Sequence, residues 1–189
     1  MQINDPNKFT EKVQSALNSA IEIVQRSSHQ QLEPEHLMLA LLEQEGLASR
    51  IFEKVGVPAG TLRDRTAAFI KKQPTIKGTS ESIYISNPAS QLLDQADSHR
   101  KSLEDDYISI EHLVLAYTKD KRFGQTLFKD LGVTEKDLKT AITQIRGHQK
   151  VTDQNPEGKY ESLEKYGRDL TAYAREGRLD SVSVRDEEI

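Results

Sequence analysis

Residues 33–57 occur twice in this chain. The stretch from Glu33 to Val57 reads E-P-E-H-L-M-L-A-L-L-E-Q-E-G-L-A-S-R-I-F-E-K-V-G-V, and that from Ser109 to Val133 reads S-I-E-H-L-V-L-A-Y-T-K-D-K-R-F-G-Q-T-L-F-K-D-L-G-V. Glu35, His36 and Leu37 return as Glu111, His112 and Leu113. Phe52 returns as Phe128, and Gly56-Val57 as Gly132-Val133. The offset is constant and ungapped (112 − 36 and 132 − 56 both give 76). A unit repeated at fixed spacing restricts the fold to copies of one structure packed together. The chain is therefore a duplicated unit with additions.

The unit is helical. Phe9, Val13, Ala16, Leu17, Ala20, Ile21 and Val24 follow a helical period, with Asp5-Pro6 as a start signal, so a helix is expected over about residues 7–27. Its counterpart carries Ala89, Leu92, Leu93, Ala96 and Leu103, with Asn87 as N-cap and Pro88 as first helical residue. The second helix of each half, 37–42 and 113–117, is almost wholly apolar. Periodicity does not separate such a run from a buried strand, but Pro34 and Ser109 are helix-start residues. Gly56 and Gly132 end a third helix. A fourth starts at Pro58 in one half and after Thr134 in the other, where Thr134-x-x-Asp137 resembles a capping box. The expectation is an all-α repeat domain over 1–147, with halves 1–73 and 74–147 of four helices each. A surface loop over 73–86 joins the halves. Residues 148–158, with Asn155-Pro156 and Gly158, read as a mobile linker. A further helical pattern opens at Lys159 with Tyr160, Leu163, Tyr166, Leu170 and Tyr173. A lone helix of that length does not bury its apolar face, which suggests the front of a longer protein.

Several function classes are disfavoured. No apolar run approaches a membrane span, and the first residues lack a signal-peptide apolar region. There is no cysteine, which suits a cytoplasmic protein and removes thiolate metal sites. Acids and bases are mixed to a net charge of −4, without the basic face that nucleic acid requires. A P-loop needs G-x-x-x-x-G-K-[ST]. The single Gly-Lys, Gly158-Lys159, is followed by Tyr160 and has Asp153 where the first glycine belongs, so the expectation is a stretch without catalysis. Glu35-His36 and Glu111-His112 lack the i, i+4 ligand spacing of helical metal sites. They read as first-turn carboxylates at the positive end of a helix dipole. His29, His99 and His148 have no evident partner, and no nucleophile constellation is present.

The duplicated E-H-L helices with their following G-V resemble the N-terminal domain of the Clp ATPases. N-K-F-T-E-K at 7–12, L-E-P-E-H-L at 32–37, L-E-K-Y-G-R-D-L-T at 163–171, G-R-L-D at 177–180 and R-D-E-E-I at 185–189 resemble the ClpB type, the protein-disaggregating chaperones. The resemblance implies that 159–189 open a first ATPase domain. It also implies that the full-length protein is an ATP- and magnesium-using homohexamer working with the DnaK system on unfolded or aggregated proteins. This stretch alone is expected to be a monomer. One departure stands out. Where the family reads L-D-P-V-I-G-R-D-E-E-I, this chain has Ser181, Ser183 and Val184 in place of proline, isoleucine and glycine. The resemblance implies that this loop lies against the adenine in related ATPases, so its nucleotide role is in question here.

Glu104, Asp105 and Asp106 precede Ser109 and Glu111, whereas the first half has Gln30, Gln31 and Glu33 there. The repeated fold therefore does not demand the acids. They read either as a solvated loop, worth about 0.3–1 kcal/mol per charge to the following helix, or as an acidic rim for substrate. The seam between the halves, with Val13, Leu17 and Leu93 as candidate lining, reads either as core or as a shallow apolar groove. With Asp105, Asp106 and Glu111 on its edge, such a groove would hold apolar segments flanked by lysine or arginine weakly and with little sequence choice. Two rivals are an adaptor-docking domain, as in protease-linked Clp relatives, and a nucleotide-binding unit.

Overall fold

The structure, a computed structural model, describes residues 5–78 and 82–160. Leu163, Tyr166, Leu170 and Tyr173 and the altered positions Ser181, Ser183 and Val184 lie outside the described residues. The first half runs through a 3₁₀ turn (Pro6–Lys8), α1 (Glu11–Arg26), β1 (Gln31–Leu32), α2 (Pro34–Glu43), α3 (Leu47–Lys54) and α4 (Ala59–Lys71). The second runs through β2 (Tyr84–Ile85), α5 (Asn87–Ser102), α6 (Ile110–Ala116), a 3₁₀ turn (Tyr117–Lys119), α7 (Gly124–Leu131) and α8 (Glu135–Arg146). These eight α-helices are the expected four per half.

Side-chain caps set the helix starts. The Thr10 hydroxyl accepts the Val13 N–H at 3.3 Å, so α1 opens at Glu11, and residues 7–9 belong to a separate turn and bridge. Ser86, not Asn87, caps α5 by accepting the Ala89 N–H at 3.1 Å. Pro88 then occupies the second position, still within the first turn where a missing N–H costs nothing. Gly56 and Gly132 follow α3 and α7 in the left-handed region, φ 89° and 70°, as C-terminal glycines do. Thr134 and Asp137 form the expected capping box.

The halves exchange contacts about a local two-fold. Residues 73–86 are more than a loop, because β2 within them pairs in parallel with β1, Leu32 opposite Ile85. Phe9 bridges Ile108 in the same sense. At the repeat offset Phe9 corresponds to Ile85 and Leu32 to Ile108, so one pairing repeats the other with the halves swapped. Phe52 and Phe128, also equivalents, pack against each other with tilted rings, centroids 5.8 Å apart. The Tyr117 hydroxyl donates to the Pro34 carbonyl at 2.7 Å, tying the second half to the start of α2. Residues 34–42 and all of α6 are buried, which makes these two helices the centre of the core.

Gly124 opens α7 against Tyr117. A methyl group there would lie 2.5 Å from the Tyr117 carbonyl oxygen and 2.8 Å from its Cβ. Backbone does not yield as a side chain tip does, so Gly124→Ala is expected to destabilise the fold by about 1–3 kcal/mol. Urea denaturation checks this; an unchanged midpoint would contradict the crowding.

Candidate functional site

Each half builds a polar cluster at the start of its central helix from equivalent positions. In the second half these are Asp105, Ser109, Glu111 and His112; in the first, His29, Glu33, Glu35 and His36. His112 and His36 are the third residues of α6 and α2. Their Nδ1 atoms accept the backbone N–H of Ser109 at 2.8 Å and of Glu33 at 3.0 Å. That fixes the proton on Nε2, which donates to Asp105 Oδ2 at 2.7 Å in one half and to His29 Nδ1 at 2.8 Å in the other. The E-H pairs thus cap helices, with histidine in the role glutamate usually plays. His29 has a partner after all, and His99 faces Glu135 at 3.8 Å. Burial, with His29 and Arg122 nearby, pushes His36 down to about 4, which keeps that imidazole neutral.

An arginine closes each cluster. Arg146, from the end of α8, reaches Asp105 through Nη2 at 2.6 Å and Nη1 at 2.8 Å, and Glu111 through Nη1 at 3.2 Å. Ser109 Oγ donates to the other Glu111 oxygen. Burial by itself raises the Asp105 carboxyl, but His112, Arg146 and the Val151 N–H overrule it and hold the group well below the usual carboxylate range. In the first half Arg122 arrives from the opposite half. It forks onto Glu35 at 2.9–3.2 Å and reaches Glu33 and Gln73, each at 3.3 Å. A polar cleft of about 230 Å³ stays open there, lined by His29, Gln31, Glu33, Gln73 and Arg122 among others.

Five of the six residues expected to meet substrate are inside. Asp105 is 3% exposed and Glu111 0%, because Arg146 draws both carboxylates inward. Val13, Leu17 and Leu93 are 0%, 3% and 1% exposed and belong to the core between the halves. Asp106 alone of the six is at the surface, beside exposed Glu104, which turns the chain through φ 59°. Among the described residues Tyr84 is the single large apolar side chain left exposed, so the seam is not an open groove.

The cover over the second cluster is the segment expected to be a mobile linker. Val151 donates its N–H to Asp105 Oδ1 at 2.9 Å and accepts the Asp106 N–H at 2.8 Å. Gln154 accepts the Glu11 N–H at 2.8 Å. Residues 156–160 are helical, three residues ahead of the expected start. Glu157 Oε2 accepts from the Thr10 hydroxyl at 2.6 Å and the Ile110 N–H at 3.3 Å. Arg146 lies 5.8 Å from the Tyr160 ring centre. Val151, Glu157 and Tyr160 are all buried. Glu157 Oε1 and the Tyr160 hydroxyl nonetheless meet no hydrogen-bond partner among the described residues. Burial and the nearby Glu111 push the Glu157 carboxyl up to about 7.

The family model described as the Clp repeat (R) N-terminal domain matches residues 8–127. The chain belongs to the Clp N-terminal domain family. It is 55% identical over 189 residues to Chaperone protein ClpB 2 of Nostoc sp., covering 100% of this chain and 22% of that protein. The Clp chain thus spans about a fifth of the length of such relatives. It shares its fold with the Hsp104 N-terminal domain from Candida albicans (TM-score 0.71, 22% identity, covering 79% of this chain and 99% of the other). It also shares it with a ClpV N-domain in complex with a VipB peptide (TM-score 0.58, 19% identity, 72% and 85% covered).

Sequence reasoning about this Clp domain missed Arg122, Arg146, Thr10, Glu157 and Tyr160. For Glu157 and Tyr160 a signal existed, since they stand at the repeat offset from Glu81 and Tyr84. The arginines had none, because Gly46 and Ile70 occupy their equivalent positions.

Three outcomes follow from the charges. Arg146→Met strands two buried carboxylates and is expected to cost about 3–5 kcal/mol in urea denaturation. Arg122→Met, at a more exposed site, is expected to cost about 1–3 kcal/mol; equal costs would contradict the difference in burial. The Glu157 carboxyl, followed by ¹³C NMR, is expected to titrate near 7. Its raised value makes the Glu157 contribution to docking of 151–160 largest below the ordinary 4.5. Docking weakens as pH rises from the ordinary 4.5 through about 7, and is level above. A midpoint near 4.5 would show that Glu157 is not held as described.

Proposed function

We propose that this chain is the substrate-engaging N-terminal domain of a ClpB-like protein disaggregase. It would hold exposed apolar segments of unfolded or aggregated proteins and pass them to an ATP- and magnesium-using hexameric ring formed by the rest of the protein, in the cytoplasm and in cooperation with the DnaK system. The observation that carries this reading is the unbroken similarity to ClpB chaperones across all 189 residues. The surface chemistry supports it. Asp106 and Glu104 form an exposed acidic edge at the second cluster, suited to the lysine and arginine that flank apolar segments. Asp105 and Glu111 hold that edge in place from below through Arg146. Little apolar surface is exposed, so engagement is weak, which suits a domain that must release its client. The stretch by itself is proposed to be a monomer without catalysis.

A second reading, docking of one folded adaptor or a defined peptide, is favoured by the likeness to the peptide-bound ClpV N-domain. An amide NMR titration with a permanently unfolded protein separates the two. Client engagement should shift residues 104–106 and their neighbours, several-fold more weakly in Asp106→Ala. A folded domain whose amides do not move at high client concentration would remove client binding and leave adaptor docking.

A further inference from the structure

We propose that residues 151–160 are a displaceable strap occupying a client-binding face formed by the second cluster and the start of α1, and that an extended client segment binds where the strap now lies. This rests on the client-engaging reading above. The strap grips through its backbone as well as through the Glu157 and Gln154 side chains. Both the N–H and the carbonyl of Val151 are used, by Asp105 Oδ1 and the Asp106 N–H, and the Gln154 carbonyl takes the Glu11 N–H. Such contacts are blind to sequence and available to any extended polypeptide, as in strand addition. The side chains the strap inserts, Val151 and Tyr160, are apolar and aromatic, the classes that unfolded proteins expose. The face beneath carries Asp105, Glu111 and Arg146, where substrate contact was expected from the sequence and which the strap hides. The fit is also imperfect. Glu157 Oε1 and the Tyr160 hydroxyl are buried without partners among the described residues, and Glu157 adds a third carboxylate to a cluster with one arginine. Buried polar atoms left unpaired weaken docking, so the strap is a contact that another segment can replace.

The test uses the full 189-residue chain and two strap variants expected to act in opposite directions. Tyr160→Ala removes the side chain packed on Arg146 and should loosen the strap, seen as faster amide exchange at Asp106 and Val151 and faster trypsin cleavage after Lys150 and Lys159. Glu157→Gln at pH 8 replaces a charged group by a neutral one. The groups facing it are the Thr10 hydroxyl, the Ile110 N–H, Glu111 and Tyr160, with Asp105 and Arg146 beside Tyr160, so this variant should tighten the strap. If the strap hides the site, affinity for the unfolded protein rises about three- to tenfold in Tyr160→Ala and falls in Glu157→Gln, because apparent affinity scales with the open fraction. A loosened strap with unchanged affinity, or equal affinity in wild type and Glu157→Gln, overturns the proposal while leaving client binding intact. No client binding by wild type and none by the loosened variant overturns the client reading itself.

Discussion

The structure depends on one guanidinium shared between two buried carboxylates. Arg146 ends the last helix of the duplicate and holds Asp105 from the α5–α6 turn and Glu111 from the first turn of α6. Asp105 in turn fixes His112, which caps α6, and receives Val151 from the covering segment. A fully buried helix such as α6 cannot leave its first N–H groups to water, so its start must be capped from within. The acid that follows the cap then needs a cation in the interior. Arg122 meets the same need at α2, but from the other half of the molecule. The clusters therefore lock helices together as well as neutralise charge.

The fold was legible because its signals are local. Gly56, Gly132, Thr134, Asp137 and Pro34 mark helix ends by backbone chemistry that needs no tertiary partner. The errors at the starts of α1 and α5 were small. Thr10 and Ser86 stand at equivalent positions, and both cap through a hydroxyl. The site was less legible because its partners are remote. Asp105 and Glu111 read as an exposed rim when judged by neighbouring sequence, and Arg146, tens of residues away, reverses that. Val13, Leu17 and Leu93 were apolar on a helical period, which identifies a buried face without saying what covers it. The linker at 148–158 failed for a related reason. Asn155-Pro156 and Gly158 are turn signals, but Asn155-Pro156 also opens a helix, and Val151 and Tyr160 supply the apolar contacts that dock it.

Duplication explains why the two clusters differ. A repeat gives two equal sites, and each must be neutralised, but the chain reaches them by different routes. Arg122 crosses the local two-fold to serve the first half, so that cluster is bound into the interface and its mouth remains a polar cleft. Arg146 comes from within the second half, at the end of α8, and the chain that follows α8 lies directly over it. The second cluster is thus covered by residues that follow the last repeat helix and add Val151 and Tyr160 to the core. A cover of that kind is held by its own contacts alone. Its displacement, as proposed, would give up the Glu157 and Gln154 bonds to Phe9, Thr10 and Glu11 but leave the Phe52–Phe128 contact, the Tyr117–Pro34 hydrogen bond and the β1–β2 pairing to hold the halves together. On that proposal the stability of the domain and the accessibility of its second cluster would be separable, which a binding domain that must both persist and let go requires.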